Sequence, residues 1–414
     1  MGHLVAERRS WREWALVRAD WQQLVESSPF ASFFHSTPWI ETWLEAYGPA
    51  LQTEIVLLRH DGRPVAGGLL TFRTERRGPI VLRTVYLNAC GEDEHEETAL
   101  EFNDLLCLPG HEHAAARALR QILDGVAWDE FLVPGCRHSE ASDALKAAFA
   151  DTELACTTVP SYFIDLEAAR KLGAPFEMTL SHRRRQKIRH CLKAYRAEGA
   201  VELERSQNAE QALTQLRALA ALHQESWRSR GKLGAFHSER FVRFHEVLLA
   251  RAFEAGHIQT LAVRCGRETI GVVHCFGWRK KLYFYQCGFR YSANKRLSPG
   301  LVTILLSIQR FLEDGWGEFD LMAGDSEYKK AFSDESRELQ WLTFRRRTLR
   351  TRALAALGLV RAAFLAGLRR FRNGRKRSAR EAGLLSRTHR SEEAHELFAG
   401  LPTGVAAERG GGED

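Results

Sequence analysis

The second half of the chain has an order of helix-like and strand-like segments that strongly constrains its fold. Two helical segments, the first with leucines at helical spacing, precede three runs rich in β-branched and aromatic residues that only short turns separate. A further helix follows, for which Ser298 suits the N-cap and Pro299 the first position, and then two more strands. The predicted helices cover 209–230, 238–255 and 299–312, and the predicted strands cover 258–264, 269–278, 282–288, 318–322 and 339–345. This α-α-β-β-β-α-β-β order predicts a mixed α/β (α+β) fold whose central sheet is flanked by helices.

The first half contains a shorter match to the same pattern. Residues 54–72 (EIVLLRHDGRPVAGGLLTF) and 261–276 (LAVRCGRETIGVVHCF) each have an aliphatic strand, a Gly-containing turn and a returning strand with an apolar-Gly pair. The match indicates two folds in tandem, although hairpin turns of this kind also recur by chance.

Three regions are therefore expected. A degenerate N-terminal domain covers residues 1–170, a second domain covers 171–347, and a basic amphipathic helix with a disordered tail covers 348–414. A basic helix within 180–199 (LSHRRRQKIRHCLKAYRAEG), with Ser181 as its N-cap, opens the second domain.

The charge of the chain is concentrated near its C-terminus. The net charge is +7, but residues 345–380 contain 13 Lys or Arg and no acid, which leaves 46 bases against 52 acids elsewhere. A basic segment of this kind, with apolar clusters at helical spacing, fits an anionic membrane surface as well as the protein's own acidic body. We expect peripheral membrane contact through residues 348–377, and no specific nucleic acid partner unless tRNA is the donor.

Cysteine usage and hydropathy favour a cytoplasmic protein, with the inner face of the membrane as its place of peripheral contact. The eight cysteines form no CxxC pair, and a chain of 414 residues does not need disulfides to fold. The N-terminus has no signal-peptide core, and the longest apolar stretch, near 353–368, is interrupted by Arg361. We expect no transmembrane helix.

Several motifs in a fixed order resemble the GNAT N-acetyltransferase superfamily, and more narrowly its CelD-like and BioF2-like acyltransferases, which are related to the FemABX peptidyltransferases. The motifs are PFASFFHSTPWIETW (29–43), LSHRRRQKIR (180–189), ALHQESWRSRGKLGAFHSERFVRFH (221–245), LYFYQCGF (282–289), SPG (298–300) and FDLMAGDSEYKKAF (319–332). The resemblance implies tandem GNAT-like folds and acyl transfer from acetyl-CoA or another acyl-CoA, without a metal.

The candidate donor site is the start of the helix at 299–312. A helix N-terminus offers unpaired N–H groups and a positive dipole to phosphate. Lys295 and Arg296 add charge, and Ser298 and Gly300 open the helix. The stretch lacks the two-glycine loop that the resemblance leads us to expect, so an acyl carrier protein or aminoacyl-tRNA remains an alternative donor, and a solvated loop is the plain alternative.

Acyl transfer to an amine requires proton transfer and stabilisation of charge on the carbonyl oxygen. Candidate catalytic residues in or beside the predicted sheet are Lys329, Glu327, Asp320, Tyr285 and His274, and Lys329 is similar to a lysine of FemABX relatives. Tyr283, Tyr285 and Cys287 are expected on one face of their strand by period-2 alternation. A core role for His274 and a solvated surface position for Lys329 remain open.

The acceptor pocket is predicted on one helix face. His223, Trp227 and Arg230 are spaced i, i+4 and i+7, and Phe236 and His237 follow in the next loop. Packing of the tryptophan against its own core is the equally simple alternative. Asn103 and Asp104 are minor candidates from the first half.

The function expected is N-acyl transfer to a small-molecule amine, an amino sugar or a cell-envelope or polysaccharide precursor. The alternatives are a FemABX-like aminoacyl-tRNA-dependent transferase and a non-catalytic scaffold in exopolysaccharide biosynthesis. No GxSxG, Walker A, HExxH or zinc-type cysteine spacing points to other chemistry.

Overall fold

A computed structural model describes residues 4–93 and 96–357. The first half comprises strands β1 (Leu4–Ser10), β2 (Gln52–His60), β3 (Arg63–Arg77), β4 (Ile80–Leu87), β5 (Leu106–Cys107), β6 (Glu130–Arg137) and β7 (Glu153–Asp165), with helices α1 (Trp14–Ser27), α2 (Thr37–Tyr47), α3 (Glu112–Asp124) and α4 (Glu140–Ala148). Helices α5 (Leu166–Lys171) and α6 (His182–Glu198) connect the halves. The second half comprises β8 (Val201–Arg205), α7 (Ala209–Arg228), α8 (Glu239–Ala252), β9 (Ile258–Cys265), β10 (Glu268–Trp278), β11 (Lys281–Phe289), α9 (Pro299–Glu313), β12 (Glu318–Ala323), α10 (Glu327–Lys330) and β13 (Ser336–Arg345).

The predicted mixed α/β fold is confirmed. The described strands form one sheet in the order β1-β2-β3-β4-β6-β13-β7-β12-β11-β10-β9-β8, with β5 paired to β3. Read from its two edges inward, the sheet repeats one pattern: four antiparallel strands and then a fifth that is parallel to the fourth. The chain therefore contains two copies of one topology, and the hairpins β2–β3 and β9–β10 occupy equivalent positions in them.

The two copies exchange their last strands. Strand β7 of the first half pairs with β12 of the second, whereas β13 of the second half pairs with β6 of the first. Strands β7 and β13 also pair with each other over ten residues. Each half therefore needs a strand of the other to complete its sheet, while the boundary near residue 170 stays a prediction.

A shared aromatic core joins the halves on one face of the sheet. Phe33, Phe34 and Trp39, from the segment 29–43, are fully buried against Phe276 and Tyr285 of the second half. The Phe33 and Phe276 rings stack with centroids 4.5 Å apart. This segment of the first half is thus part of the packing that supports β10 and β11.

The helix boundaries follow the capping residues in the sequence. Asn208 caps α7 through Gln211 N–H, and Ser238 caps α8 through Phe241 N–H. Helix α6 begins after Ser181, and Pro299 is the first residue of α9, as predicted.

The basic C-terminal segment is described only at its start. Residues 349–357 are helical, and Arg350 pairs with Asp129 of β6's N-terminal turn. The predicted membrane-contacting and disordered parts beyond residue 357 lie outside the described residues. Among the residues described, no helix is both long and apolar enough to cross a membrane. All eight cysteines are free thiols, and six of them are buried.

Candidate functional site

Strands β11 and β12 diverge shortly after they begin to pair. Their parallel ladder contains Lys281–Glu318, Leu282–Phe319 and Tyr283–Asp320 and then ends. The equivalent ladder between β4 and β6 also has three pairs. Beyond Tyr283, the edge of β11 that faces β12 carries backbone groups without a ladder partner, and a ligand can bind there.

A β-bulge in β11 lies at the start of this opening. The register with β10 shifts so that His274 pairs with Gln286 and Cys275 with Phe284, which leaves Tyr285 as the extra residue. The expectation that Tyr283, Tyr285 and Cys287 share one face is wrong for Cys287. The bulge reverses the alternation, so Cys287 packs in the core on the α9 side, whereas both tyrosines pack in the aromatic core.

A cleft opens between α7, the end of β11 and α10. Together with its opening to solvent it has a volume of about 390 Å³, and it is lined by His223, Ser226, Trp227, Arg230, Cys287, Gly288, Phe289, Tyr291 and Tyr328. The three predicted acceptor-pocket residues, His223 and Trp227 of α7 and Arg230 of the turn after it, therefore meet in one cleft. Of the two loop residues added to them, Phe236 packs beside His223 in the core, and His237 is exposed.

The cleft offers one cation and two neutral groups. Arg230 places its guanidinium 5.8 Å from the ring centre of Tyr291. Burial lowers the pKa of His223 to about 4, so its imidazole is neutral at pH 7. Burial also raises the pKa of Cys287 to about 12, so this thiol is protonated and is no nucleophile.

At the C-terminal end of β12, the backbone has an unusual conformation that buried charged side chains hold in place. Met322 is buried with φ +64°, a conformation that non-glycine residues seldom adopt. Asp320 Oδ1 accepts a hydrogen bond from Met322 N–H at 2.8 Å, and Lys329 Nζ donates to Met322 O at 2.9 Å and also to Ala323 O. The predicted residues Asp320 and Lys329 thus converge on Met322 and Ala323, where the register of β12 with β7 shifts in a second β-bulge.

Glu101 of the first half completes this cluster. Its Oε2 accepts a hydrogen bond from Ala323 N–H at 2.7 Å. Burial raises the pKa of Glu101, which the charge of Lys329 opposes, and burial lowers the pKa of Lys329, which Glu101 and Asp320 oppose. The end of β12 therefore holds a buried lysine and a buried carboxyl group whose pKa values are shifted toward each other.

Asp320 also belongs to an ion network beneath the bulge. Its Oδ2 lies 3.0 Å from Lys281 Nζ, and its Oδ1 accepts a hydrogen bond from Ser161. Arg337 of β13 reaches the same carboxylate at 3.8 Å. These contacts tie the start of β12 to both halves of the sheet.

The candidate donor site is exposed at the start of α9. Lys295 and Arg296 are exposed, and neither forms an ion pair within the described part of the chain. Ser298 is the N-cap residue, and Gly300 lies buried in the first turn of α9. The 15-residue helix directs its N-terminus toward these cations, so the residues present fit a phosphate-bearing group.

The remaining three catalytic candidates do not line the cleft. Glu327 is 72% exposed and lies 3.6 Å from Lys330. Tyr285 donates its hydroxyl to Thr98 O, and burial raises its pKa. His274 hydrogen-bonds Thr260 through Nδ1, and burial lowers its pKa to about 4. Core packing explains the positions of Tyr285 and His274.

The sequence patterns did not predict Glu101 as a site residue. They also did not predict the structural role of two nearby residues, Asn103 and Asp104. Asn103 and Asp104, the minor candidates, bond to Asn88 and Arg137 and hold their loop in place. Glu101 lies two residues before Asn103. No spacing rule links Glu101 to Lys329, because the two residues are far apart in the sequence. Among the described residues, no cluster of His, Cys, Asp or Glu could hold a metal ion.

Comparisons with known proteins agree with this architecture. Residues 182–330 match the family profile described as an acetyltransferase (GNAT) domain. The crystal structure of FemX superposes with a TM-score of 0.52 at 13% identity, covering 82% of this chain and 96% of that chain. A tandem GNAT protein from the clavulanic acid biosynthesis pathway gives a TM-score of 0.45 at 12% identity, covering 83% and 98%. The C-terminal domain of a putative lysylphosphatidylglycerol synthetase from Agrobacterium fabrum gives 0.43 at 12% identity, covering 72% and 85%. No curated protein sequence matches the chain significantly.

The divergent strand pair, the bulge and the profile match define an acyltransferase fold. Residues 182–330 form an acetyltransferase (GNAT) domain, and the chain has the fold of FemX.

Proposed function

We propose that the protein is an N-acyltransferase that moves an acyl group from acyl-CoA to the amine of a small molecule. The observation that supports this most is the opening between β11 and β12, which begins at the bulge of Tyr285 and leads into the cleft of His223, Trp227 and Arg230. The exposed cations Lys295 and Arg296 lie between the end of β11 and the start of α9, where a phosphate-bearing donor would bind.

Acyl transfer forms a C–N bond and breaks a C–S bond, while one proton leaves the amine and one reaches the departing thiolate. Backbone N–H groups of β11 beyond Tyr283 are suited to stabilise negative charge that develops on the carbonyl oxygen. Lys329 does not line the cleft, but it fixes the β12 edge of the same opening. We assign it to positioning and to the electrostatics of that edge.

The acceptor is proposed to be an amino sugar or a cell-envelope or polysaccharide precursor. Arg230 beside Tyr291 favours an acceptor that carries a carboxylate or phosphate, because a guanidinium binds such groups in a planar, bidentate geometry. Neutral His223 and Ser226 add hydrogen-bonding groups for hydroxyls.

A transfer assay tests this proposal. Labelled acetyl-CoA and longer acyl-CoAs would be offered with amino sugars and amine-bearing envelope precursors, and products identified by mass. We expect an N-acylated product that depends on enzyme and amine together. Release of free acid at a rate that no amine changes would refute amine acylation.

A second candidate donor is aminoacyl-tRNA, which one observation favours. Helix α6 carries seven Lys or Arg and one Glu, and it packs on α9. Arg183 and Lys187 are exposed on it. If tRNA is the donor, Arg183→Glu with Lys187→Glu weakens tRNA binding by about tenfold or more, in a salt-dependent way. The same pair of changes leaves acetyl-CoA binding unchanged.

A further inference from the structure

We propose that Glu101, from the first half of the chain, is a positioning residue for the active site of the second half. Its carboxylate holds the main chain of Ala323 at the edge of the opening between β11 and β12. The kinetic part of this inference rests on the proposed function, whereas its structural part does not.

The contact is buried on all sides. Glu101 is 4% exposed, and Ala323 is fully buried. The carboxylate accepts Ala323 N–H at 2.7 Å, while Lys329 Nζ donates to the carbonyl oxygens of Met322 and Ala323. An anion and a cation from different halves thus hold consecutive peptide groups, and hydrogen bonds to charged groups are the stronger ones.

The loop that presents Glu101 is built to a fixed shape. Ala99 and Phe102, two residues before and one after it, have φ of +43° and +53°. Gly135 lies so close that a Cβ there would meet Leu100 O at 2.7 Å and Glu101 Cα at 2.9 Å. Non-glycine residues hold such conformations only where their surroundings impose them.

A side chain of the second half also contacts this loop. Lys281 Nζ lies 3.6 Å from the ring centre of Phe102, the residue after Glu101. Asn103 N–H bonds to Gly135 O, which anchors the other side. The loop is therefore fixed by both halves, and Glu101 transmits its position to the β12 exit.

The alternative is that the electrostatic attraction between Glu101 and Lys329 only holds the two halves together. The two roles differ in what Glu101→Gln does. A glutamine Oε1 can still accept Ala323 N–H, but it no longer offers Lys329 a negative charge. A positioning role predicts that this variant retains the local backbone structure, whereas a purely ionic role predicts that it behaves like Glu101→Ala.

Hydrogen exchange of the Ala323 amide is the direct test, and it needs no donor. We expect Glu101→Ala to speed exchange of this amide by about 10- to 100-fold, as the loss of a hydrogen bond to a charged group implies. We expect Glu101→Gln to stay within about threefold of wild type. Glu92→Gln is the matched control, since Glu92 is buried in the same loop but bonds to Trp43 and Thr98.

Kinetics add the functional readout. We expect Glu101→Ala to lower kcat by about 100-fold, the cost of a misplaced site, with little change in acceptor KM, and Glu101→Gln to restore most of it. Unchanged exchange at Ala323 in Glu101→Ala overturns the proposal. If Glu101→Ala does not fold, Glu101→Asp, which withdraws the carboxylate by one methylene, must speed the same exchange or the proposal fails. If wild type acylates no amine, the proposed function fails, while the exchange result still decides the role of Glu101.

Discussion

The ammonium nitrogen of Lys329 lies 2.9 Å from the main-chain carbonyl oxygen of Met322, a buried residue whose φ is +64°. A left-handed non-glycine residue costs on the order of 1–3 kcal/mol and persists only where its surroundings fix it. Lys329 itself is fully buried, so its charge depends on the carboxylates that face it. The hydrogen bond from Lys329 thus offsets the backbone strain at Met322, and the facing carboxylates offset the burial of the Lys329 charge.

Replacing Lys329 by methionine should make stability depend on pH. Glu101 would lose the nearby positive charge that opposes its shift, so its pKa, already raised by burial, would rise further. For a carboxyl group with a raised folded-state pKa, the contribution to stability is present below the unfolded pKa and is lost as pH rises through the folded value. Urea unfolding should show a loss of about 3 kcal/mol at pH 8.5 and a smaller one at pH 5.5.

The neighbouring Lys330→Met is the control for that measurement. Lys330 is 38% exposed and pairs with the exposed Asp325, so its loss should leave the free energy of unfolding nearly unchanged at either pH. Equal losses from Lys329→Met at both pH values would contradict the proposed coupling to Glu101.

Replacing His245 by leucine should leave the protein as stable at pH 7 and make it more stable at pH 5. His245 is buried among aromatic rings, and neither of its ring nitrogens has a hydrogen-bond partner in the described residues. Burial holds its pKa well below the usual value, as for the adjacent His274. A depressed histidine pKa means that stability is lost as pH falls below about 6.5, at about 1.4 kcal/mol per pH unit.

Denaturant unfolding at both pH values checks this prediction. The exposed His113, changed to leucine, serves as the control and should not alter the pH dependence. A His245→Leu protein that loses as much stability at pH 5 as wild type would show that this imidazole is not buried in the neutral form.

Alanine at Gly288 should disturb the cleft. A Cβ at this position would lie 2.4 Å from Leu219 O and 3.0 Å from Leu222 Cβ, so α7 would have to move away from β11. We expect a loss of about 1–3 kcal/mol in the free energy of unfolding, together with weaker acceptor binding. Gly125→Ala, whose nearest contact is an ordinary 3.4 Å, is the control. A variant with wild-type stability would contradict the close approach of α7 and β11.

Alanine at Arg230 tests the acceptor side of the cleft. If this guanidinium binds an anionic group of the acceptor in both ground and transition state, acceptor KM should rise by about tenfold while kcat changes little. Arg228→Ala, an exposed neighbour on α7 that does not line the cleft, should leave KM unchanged. Equal effects of the two substitutions would remove Arg230 from the proposed acceptor site.

Local patterns in the sequence predict much of the fold and part of the site. Caps and periodicity predict α7 and α9, and helical spacing brings His223 and Trp227 into one cleft, beside Arg230 in the turn that follows α7. These features depend on residues that are near in sequence, so helix propensity and the periodicity of apolar side chains are enough to predict them.

The rest depends on pairings that local patterns do not encode. The exchange of β7 and β13, and the contact from Glu101 to Ala323, join segments far apart in the chain. Cys287 lies on the opposite face because Tyr285 is an extra residue in β11. A bulge of this kind leaves no periodic pattern in the sequence from which it could be predicted.

Ligand-dependent thermal unfolding tests whether an acyl-CoA donor binds at the start of α9. Purified wild type would be heated with acetyl-CoA, longer acyl-CoAs and free coenzyme A, beside Arg296→Ala and the exposed control Arg267→Ala. A donor at 100 times its Kd should add about 2.7 kcal/mol of stability, and Arg296→Ala but not Arg267→Ala should abolish most of that gain. Absence of stabilisation by every coenzyme A ligand would contradict this binding and favour aminoacyl-tRNA or an acyl carrier protein as the donor.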